Sequence, residues 1–157
     1  VWLGRSSRLP RFTNRRVGYS VSFKVFTNGC FDIIHIGHIK LLEYCSHRAR
    51  SMYQGSFVVG LNSDNSITRL KGDNRPIFNE NDRKYVLEHI KFVDEVLIFD
   101  EDTPKRLLSV VKPDLIIKSA AAVPDTKEVE GYKVDFCDHV EGYSTTNIIN
   151  EILSNRR

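Results

Sequence analysis

Residues 25–45 read VFTNGCFDIIHIGHIKLLEYC, and the fold follows from how that stretch divides. Val25, Phe26 and Thr27 are an apolar run of the kind that ends a buried strand. Asn28, Gly29 and Cys30 form a tight exit, Phe31 to Ile36 a loop, and Gly37 lets the backbone turn into a helix carrying Ile39, Leu41, Leu42 and Cys45. Strand, turn, loop and helix in that order aim the unpaired N–H groups of a first helical turn at whatever lies beyond the strand's carboxyl end, where an anion is favoured. His35 and His38 stand three residues apart across the helix start, a spacing that lets both face the same anion.

Outward from this stretch the chain alternates strand and helix. Ser56 to Asn62 (SFVVGLN) reads as a second buried strand, running into Ser63, Asp64 and a loop through Pro76. Asn79, with Asp82 three residues on, opens a helix in the manner of a capping box, and Val86, Leu87 and Ile90 supply its apolar face. Glu95 to Phe99 is a third strand; Thr103 and Pro104 are read as the cap and first residue of a helix through Val111. Leu115 to Lys118 is a fourth strand and Tyr132 to Phe136 a fifth, and Ser144 caps a last helix with Ile148, Ile149, Ile152 and Leu153 on one side. Such alternation predicts one doubly wound α/β domain of Rossmann-like type over residues 23–157, built on a parallel sheet. Ligands of such sheets bind beyond the carboxyl ends of the strands, so the loops at 27–38, 62–75, 100–103, from 118 onward, and 142–146 become the candidate site.

Composition sets the bounds. At 157 residues, 41% hydrophobic and 27% charged, the chain has room for one domain with a real core, and no apolar run reaches the length of a membrane span. Cys30, Cys45 and Cys137 are an odd number without a CxxC pair, which argues against a disulfide framework and a thiolate metal site and fits a reducing cytoplasm. The net charge of +3 is uneven. Residues 1–20 hold Arg5, Arg8, Arg11, Arg15 and Arg16 with no acid, leaving 18 basic against 20 acidic residues in the body. Residues 1–22 are therefore read as a basic arm, an unstructured leader or cloning remnant by default; a transit peptide or an arm for nucleic acid or anionic lipid is the alternative.

The GCFD segment with HIGH, the NSD after the second strand, RLKG followed by RP, the helix bearing Arg83, and GYSTTNII together resemble the cytidylyltransferase-like nucleotidyltransferase family. The resemblance covers roughly residues 24–154. It is strongest to the adenylyltransferase domain that activates D-glycero-D-manno-heptose 1-phosphate and more distant to glycerol-3-phosphate cytidylyltransferase. It implies attack by a sugar-phosphate oxygen on the α-phosphorus of ATP or CTP, with magnesium carried by the triphosphate and pyrophosphate released. By this resemblance His35, His38 and Lys71 are the expected catalytic residues. The nucleotide is expected on Thr27, Asn28, Gly29, Cys30, Phe31, the two histidines, Arg83, Lys118, Ser144, Thr145 and Thr146, and the second substrate on Asp32, Asp64 and Lys71. Arg69 and Arg75 stand behind Lys71 and Arg83 as further phosphate ligands. No dedicated metal cage, nucleic-acid partner or membrane partner is implied, and a homodimer is the commonest assembly.

One stretch departs from the family. After the fourth strand its members usually carry Lys-Gly-Gly-Asp and an aromatic, whereas this chain has Lys118-Ser119-Ala120-Ala121-Ala122, so the expected acid and ring fall on Ala121 and Ala122. Loss of a carboxylate and a stacking surface predicts weakened activity or a changed substrate. A nucleotide-binding or regulatory module without turnover is the non-enzymatic alternative. HIGH also occurs in class I aminoacyl-tRNA synthetases, but no KMSKS-type loop accompanies it here.

Overall fold

The computed structural model describes residues 22–120 and 129–155. Apart from Ser22, the basic arm lies outside the described residues, as do Ala121 and Ala122. The elements are β1 (Lys24–Gly29), α1 (Ile36–Arg50), β2 (Ser56–Asn62), α2 (Asp64–Lys71), α3 (Glu80–Glu88), β3 (Glu95–Phe99), α4 (Lys105–Val111), β4 (Leu115–Ser119), β5 (Val134–Cys137) and α5 (Thr145–Ser154). The five strands form one sheet in the order β3-β2-β1-β4-β5, and every pairing is parallel.

The central strands are apolar on both sides because both faces are covered, and their alternation divides two cores. Val25, Phe57, Val59, Leu115 and Ile117 point to one face, where Leu42, Cys45 and Ala49 of α1 and Leu87 of α3 pack on them. Phe26, Val58 and Ile116 point to the other, against Leu108 and Val111 of α4. Chain order reverses between β1 and β4, which opens a crevice at their carboxyl ends.

Local readings change at four helices. The loop expected after Asp64 is the helix α2: Ser63 caps it by accepting from the Ser66 N–H at 3.0 Å, but Ile67 is its one fully buried apolar residue, too little for a periodic signal. At α4 the cap is Pro104 and no side chain bonds the free N–H groups, so Thr103 does not cap and Pro104 is not yet helical. Along α3, Leu87 faces the core whereas Val86 is exposed. α5 is capped as expected, with Ser144 Oγ accepting from Asn147 N–H at 3.0 Å, yet Ile152 and Leu153 are half exposed and only Thr145 is buried.

Candidate active site

β1 and α1 place the two histidines. His35 is the N-cap of α1, its Nδ1 accepting from the Gly37 N–H at 3.2 Å. One turn on, the His38 ring stacks on it with centroids 3.8 Å apart, and Phe31 closes the far side of His38 at 5.1 Å. Gly37 serves close approach here. A Cβ on it would lie 3.0–3.1 Å from the His35 ring and 3.9 Å from the Tyr143 carbonyl, so the histidine stack and the 142–146 turn meet across this glycine. Phe31 takes a left-handed φ of 45° with its ring buried, a conformation rare for a bulky residue, and Gly29 makes room for that ring.

The stack opens onto a cavity of about 430 Å³ at the switch point. Cys30, His35, Gly37 and His38 line it from the β1 side, Lys71 and Arg75 from the end of α2 and the loop after it, and Ser119 from the end of β4. Cys137 to Val140 contribute after β5, and Tyr143 to Thr146 at the start of α5. Six expected site residues thus line one cavity with Lys71: Cys30, His35, His38, Ser144, Thr145 and Thr146. A second, mostly apolar cavity of about 490 Å³ lies between the histidine loop and α3.

The other expected residues act from behind the wall. Thr27 Oγ1 donates to the Ile117 carbonyl at 2.7 Å, tying β1 to β4, and Lys118 Nζ donates to Asn28 Oδ1 at 2.9 Å across the same pair. Gly29 and Phe31 shape the histidine loop. The Asp32 carboxylate, fully buried, accepts from Arg75 Nε at 2.7 Å and from the Ile77 and Phe78 N–H groups at 2.9 and 3.0 Å, so it fastens the loop after α2 to the histidine loop.

Arg83, expected on phosphate, is placed among protein acceptors, and it lines the second cavity and not the polar one. Its side chain is fully buried, with Nε donating to the Phe78 carbonyl, Nη1 to the Cys30 and Asn62 carbonyls, and Nη2 to Asp64 Oδ1, all at 2.7–2.9 Å. The guanidinium expected on phosphate is consumed by the ends of β1 and β2, and Asp64, expected on the second substrate, is its counter-ion. Arg69 is bound at the surface to Asp102 and Asp100. Arg75 is the arginine that reaches the cavity.

Charge in the site is conditional. Burial, and then the neighbouring His35, push His38 down to about 4, against the opposing pull of the Ile33 backbone and Asp32. His35 is also lowered, by burial and then by His139. Both imidazoles are therefore neutral at pH 7, and Lys71 and Arg75 are the cavity's fixed cations. His38 Nδ1 is buried without a well-formed hydrogen bond. Burial pushes the Cys30 thiol up, Lys71, Arg83 and Arg75 opposing, so it is not a ready nucleophile. Asp138 and His139 were not anticipated as site residues, although the rule that follows strands to their carboxyl ends, applied to β5 as well, leads to them.

A parallel sheet ordered 3-2-1-4-5, with a polar cavity at its switch point beneath a helix start, defines an α/β domain of the Rossmann-like class. The sequence model of the cytidylyltransferase-like family matches residues 26–151, and the chain belongs to that family. Among curated relatives, the bifunctional protein HldE of Campylobacter concisus is 52% identical over 132 residues, covering 82% of this chain and 26% of that protein. The bifunctional protein HldE of Syntrophotalea carbinolica is 44% identical over 145 residues, covering 88% and 28%. The chain thus spans about a quarter of the length of the curated relatives it matches. Among solved structures, the lipopolysaccharide core biosynthesis protein from Thermoplasma volcanium superposes with a TM-score of 0.61 at 29% identity, over 78% of this chain and 98% of that one. A macrolide-efflux protein from Streptococcus pneumoniae shares the fold, with a TM-score of 0.61 at 21% identity over 85% and 53%. No helix among the described residues is long and apolar enough to cross a membrane.

Proposed function

We propose that this chain is a nucleotidyltransferase that moves a nucleoside monophosphate from ATP to a sugar phosphate, heptose 1-phosphate, and releases pyrophosphate. The observation that carries the reading is the stacked His35–His38 pair facing the hydroxyl-rich 143–146 turn across one cavity. Family membership and the HldE relatives support it. CTP in place of ATP, as in a glycerol-3-phosphate-type cytidylyltransferase, is the alternative within the family.

The chemistry needs positioning and charge stabilisation more than covalent help. An oxygen of the sugar phosphate forms a bond to the α-phosphorus as the bond from that phosphorus to the bridging oxygen breaks, and pyrophosphate leaves with the electron pair. Neutral imidazoles donate N–H groups to the transferring phosphoryl oxygens without adding charge of their own. Lys71, exposed at the end of α2, swings over the phosphates, and the Thr145 and Thr146 hydroxyls close from α5. Magnesium, arriving on the triphosphate, would neutralise phosphate charge. Asp138 is the carboxylate among the described lining residues, a donor set that fits an ion held mainly by phosphate oxygens and water.

A matrix of nucleoside triphosphates against sugar phosphates, scored by pyrophosphate release, tests the reading. ATP with heptose 1-phosphate is expected to give the highest rate. Nucleotide binding without release in any pairing would favour the non-catalytic module, for which the Ala120–Ala122 departure is the motive. Within the active pairing, His38→Ala should lower turnover at least about tenfold, about 1.4 kcal/mol of transition-state stabilisation, and unchanged turnover would remove His38 from the chemistry.

A further inference from the structure

Arg75 is held in an unusual state for a surface-loop cation. Its side chain is only 14% exposed, it lines the cavity beside Lys71 and Cys30, and its Nε is fixed at 2.7 Å by a carboxylate, Asp32, that is itself fully buried. Asp32 is held in turn by the Ile77 and Phe78 N–H groups, so the guanidinium is oriented from behind. Among the described residues the two Nη groups have no hydrogen-bond partner. Neither Nη group is sealed from the cavity, since His38 Nδ1 is the one buried side-chain polar atom without a partner among the described residues, and a planar fork held open in this way suits two phosphoryl oxygens. The other arginines near the site are spoken for: Arg83 by three carbonyls and Asp64, Arg69 by Asp100 and Asp102.

We propose that Arg75, oriented by Asp32, is a phosphate-binding residue of this cavity, its Nη fork taking phosphoryl oxygens of the nucleotide's terminal phosphates or of the sugar phosphate beside it. The proposal rests on the nucleotidyltransferase reading and adds to it a second fixed cation, beside Lys71, that is oriented in advance by a buried carboxylate. Arg75 is a binding residue and Asp32 a positioning residue.

The test titrates wild type, Arg75→Ala, Arg75→Lys and Asp32→Asn calorimetrically with ATP, pyrophosphate and heptose 1-phosphate separately, with a melting curve for each variant. Arg75→Ala should weaken at least one probe about 10- to 100-fold, and the weakened probe tells nucleotide phosphate from sugar phosphate. Tens of millimolar guanidinium should restore binding to Arg75→Ala and leave the wild type unchanged, a rescue that a packing defect would not show. Arg75→Lys, which keeps the charge but not the fork, should fall between, and it carries the test should the alanine variant fail to fold. Asp32→Asn should weaken the same probe in wild type and add nothing in the Arg75→Ala background. Undiminished affinities in a folded Arg75→Ala or Arg75→Lys protein overturn the role of Arg75, while equal Asp32→Asn effects in both backgrounds overturn the orienting role. A wild type that binds none of the three probes refutes the functional reading and the proposal together.

Discussion

Replacing Arg83 separates a strut from a ligand. Its four hydrogen bonds, all 2.7–2.9 Å, end on the carbonyls of Cys30, Asn62 and Phe78 and on Asp64. Truncation to alanine strands three acceptors, the Asn62 carbonyl in a buried bond and those of Cys30 and Phe78 in part-buried ones. Breaking a buried ion pair of this kind costs about 3–5 kcal/mol, and each stranded buried acceptor about 1–3 kcal/mol. These figures overlap, because the same guanidinium serves both. The Asp64 side chain is 37% exposed and regains water when its partner goes, so its share is discounted. The expected loss is about 4 kcal/mol, which for a domain of this size lowers the melting temperature by about 8–16 °C. Arg83→Lys keeps one charge but cannot span four acceptors, and should lose about half as much.

The assay pairs thermal unfolding with pyrophosphate release measured well below both melting points. A strut predicts a large fall in melting temperature and a fall in turnover, as the β1 exit carrying Cys30 loosens. A direct phosphate ligand predicts a raised KM with stability intact. A melting temperature within about 2 °C of wild type in Arg83→Ala would refute the strut, and a raised nucleotide KM alongside it would restore the reading made from sequence.

His38 should make the fold acid-sensitive within a defined window. Its pKa is lowered from 6.5 to about 4 in the folded state, so the unfolded chain takes the proton first as pH falls, and stability drops between pH 6.5 and 4 by about 3 kcal/mol. Urea unfolding at pH 7.5, 5 and 4 should show that slope, flattened in His38→Gln; equal slopes would place the His38 ring in water. Gly37→Ala puts a methyl 3.0–3.1 Å from the His35 ring, which should disturb the stack and lower turnover more than stability, read from both assays. Gly60→Ala meets Phe26 Cζ at 2.6 Å and Leu107 Cδ2 at 3.1 Å in the α4-side core, and should cost about 1–3 kcal/mol by denaturant titration while leaving substrate affinity alone.

What the sequence makes legible is what neighbours along the chain decide. The apolar runs at 25–27, 56–62, 95–99 and 115–118 each became a parallel strand, because a strand buried on both faces must be apolar throughout. His35 and His38 could be paired from their spacing, since a helix start brings residues three apart together whatever surrounds it. α2 escaped because its sequence shows a single core residue, Ile67, while its capping serine is equally at home in a turn. The arginines are what the sequence leaves undivided. Arg69, Arg75 and Arg83 look alike as letters, and which one meets a phosphate depends on which carbonyls and carboxylates reach the others first. The acceptors of Arg83 come from the ends of two strands, 53 and 21 residues away, and the carboxylate of Arg75 from 43 residues away. A long cation's role is settled by that three-dimensional competition for acceptors. A sequence motif can therefore show that cations gather at a site without showing which of them still has donors to spare, and here the buried, half-paired guanidinium of Arg75 is the one left facing the cavity.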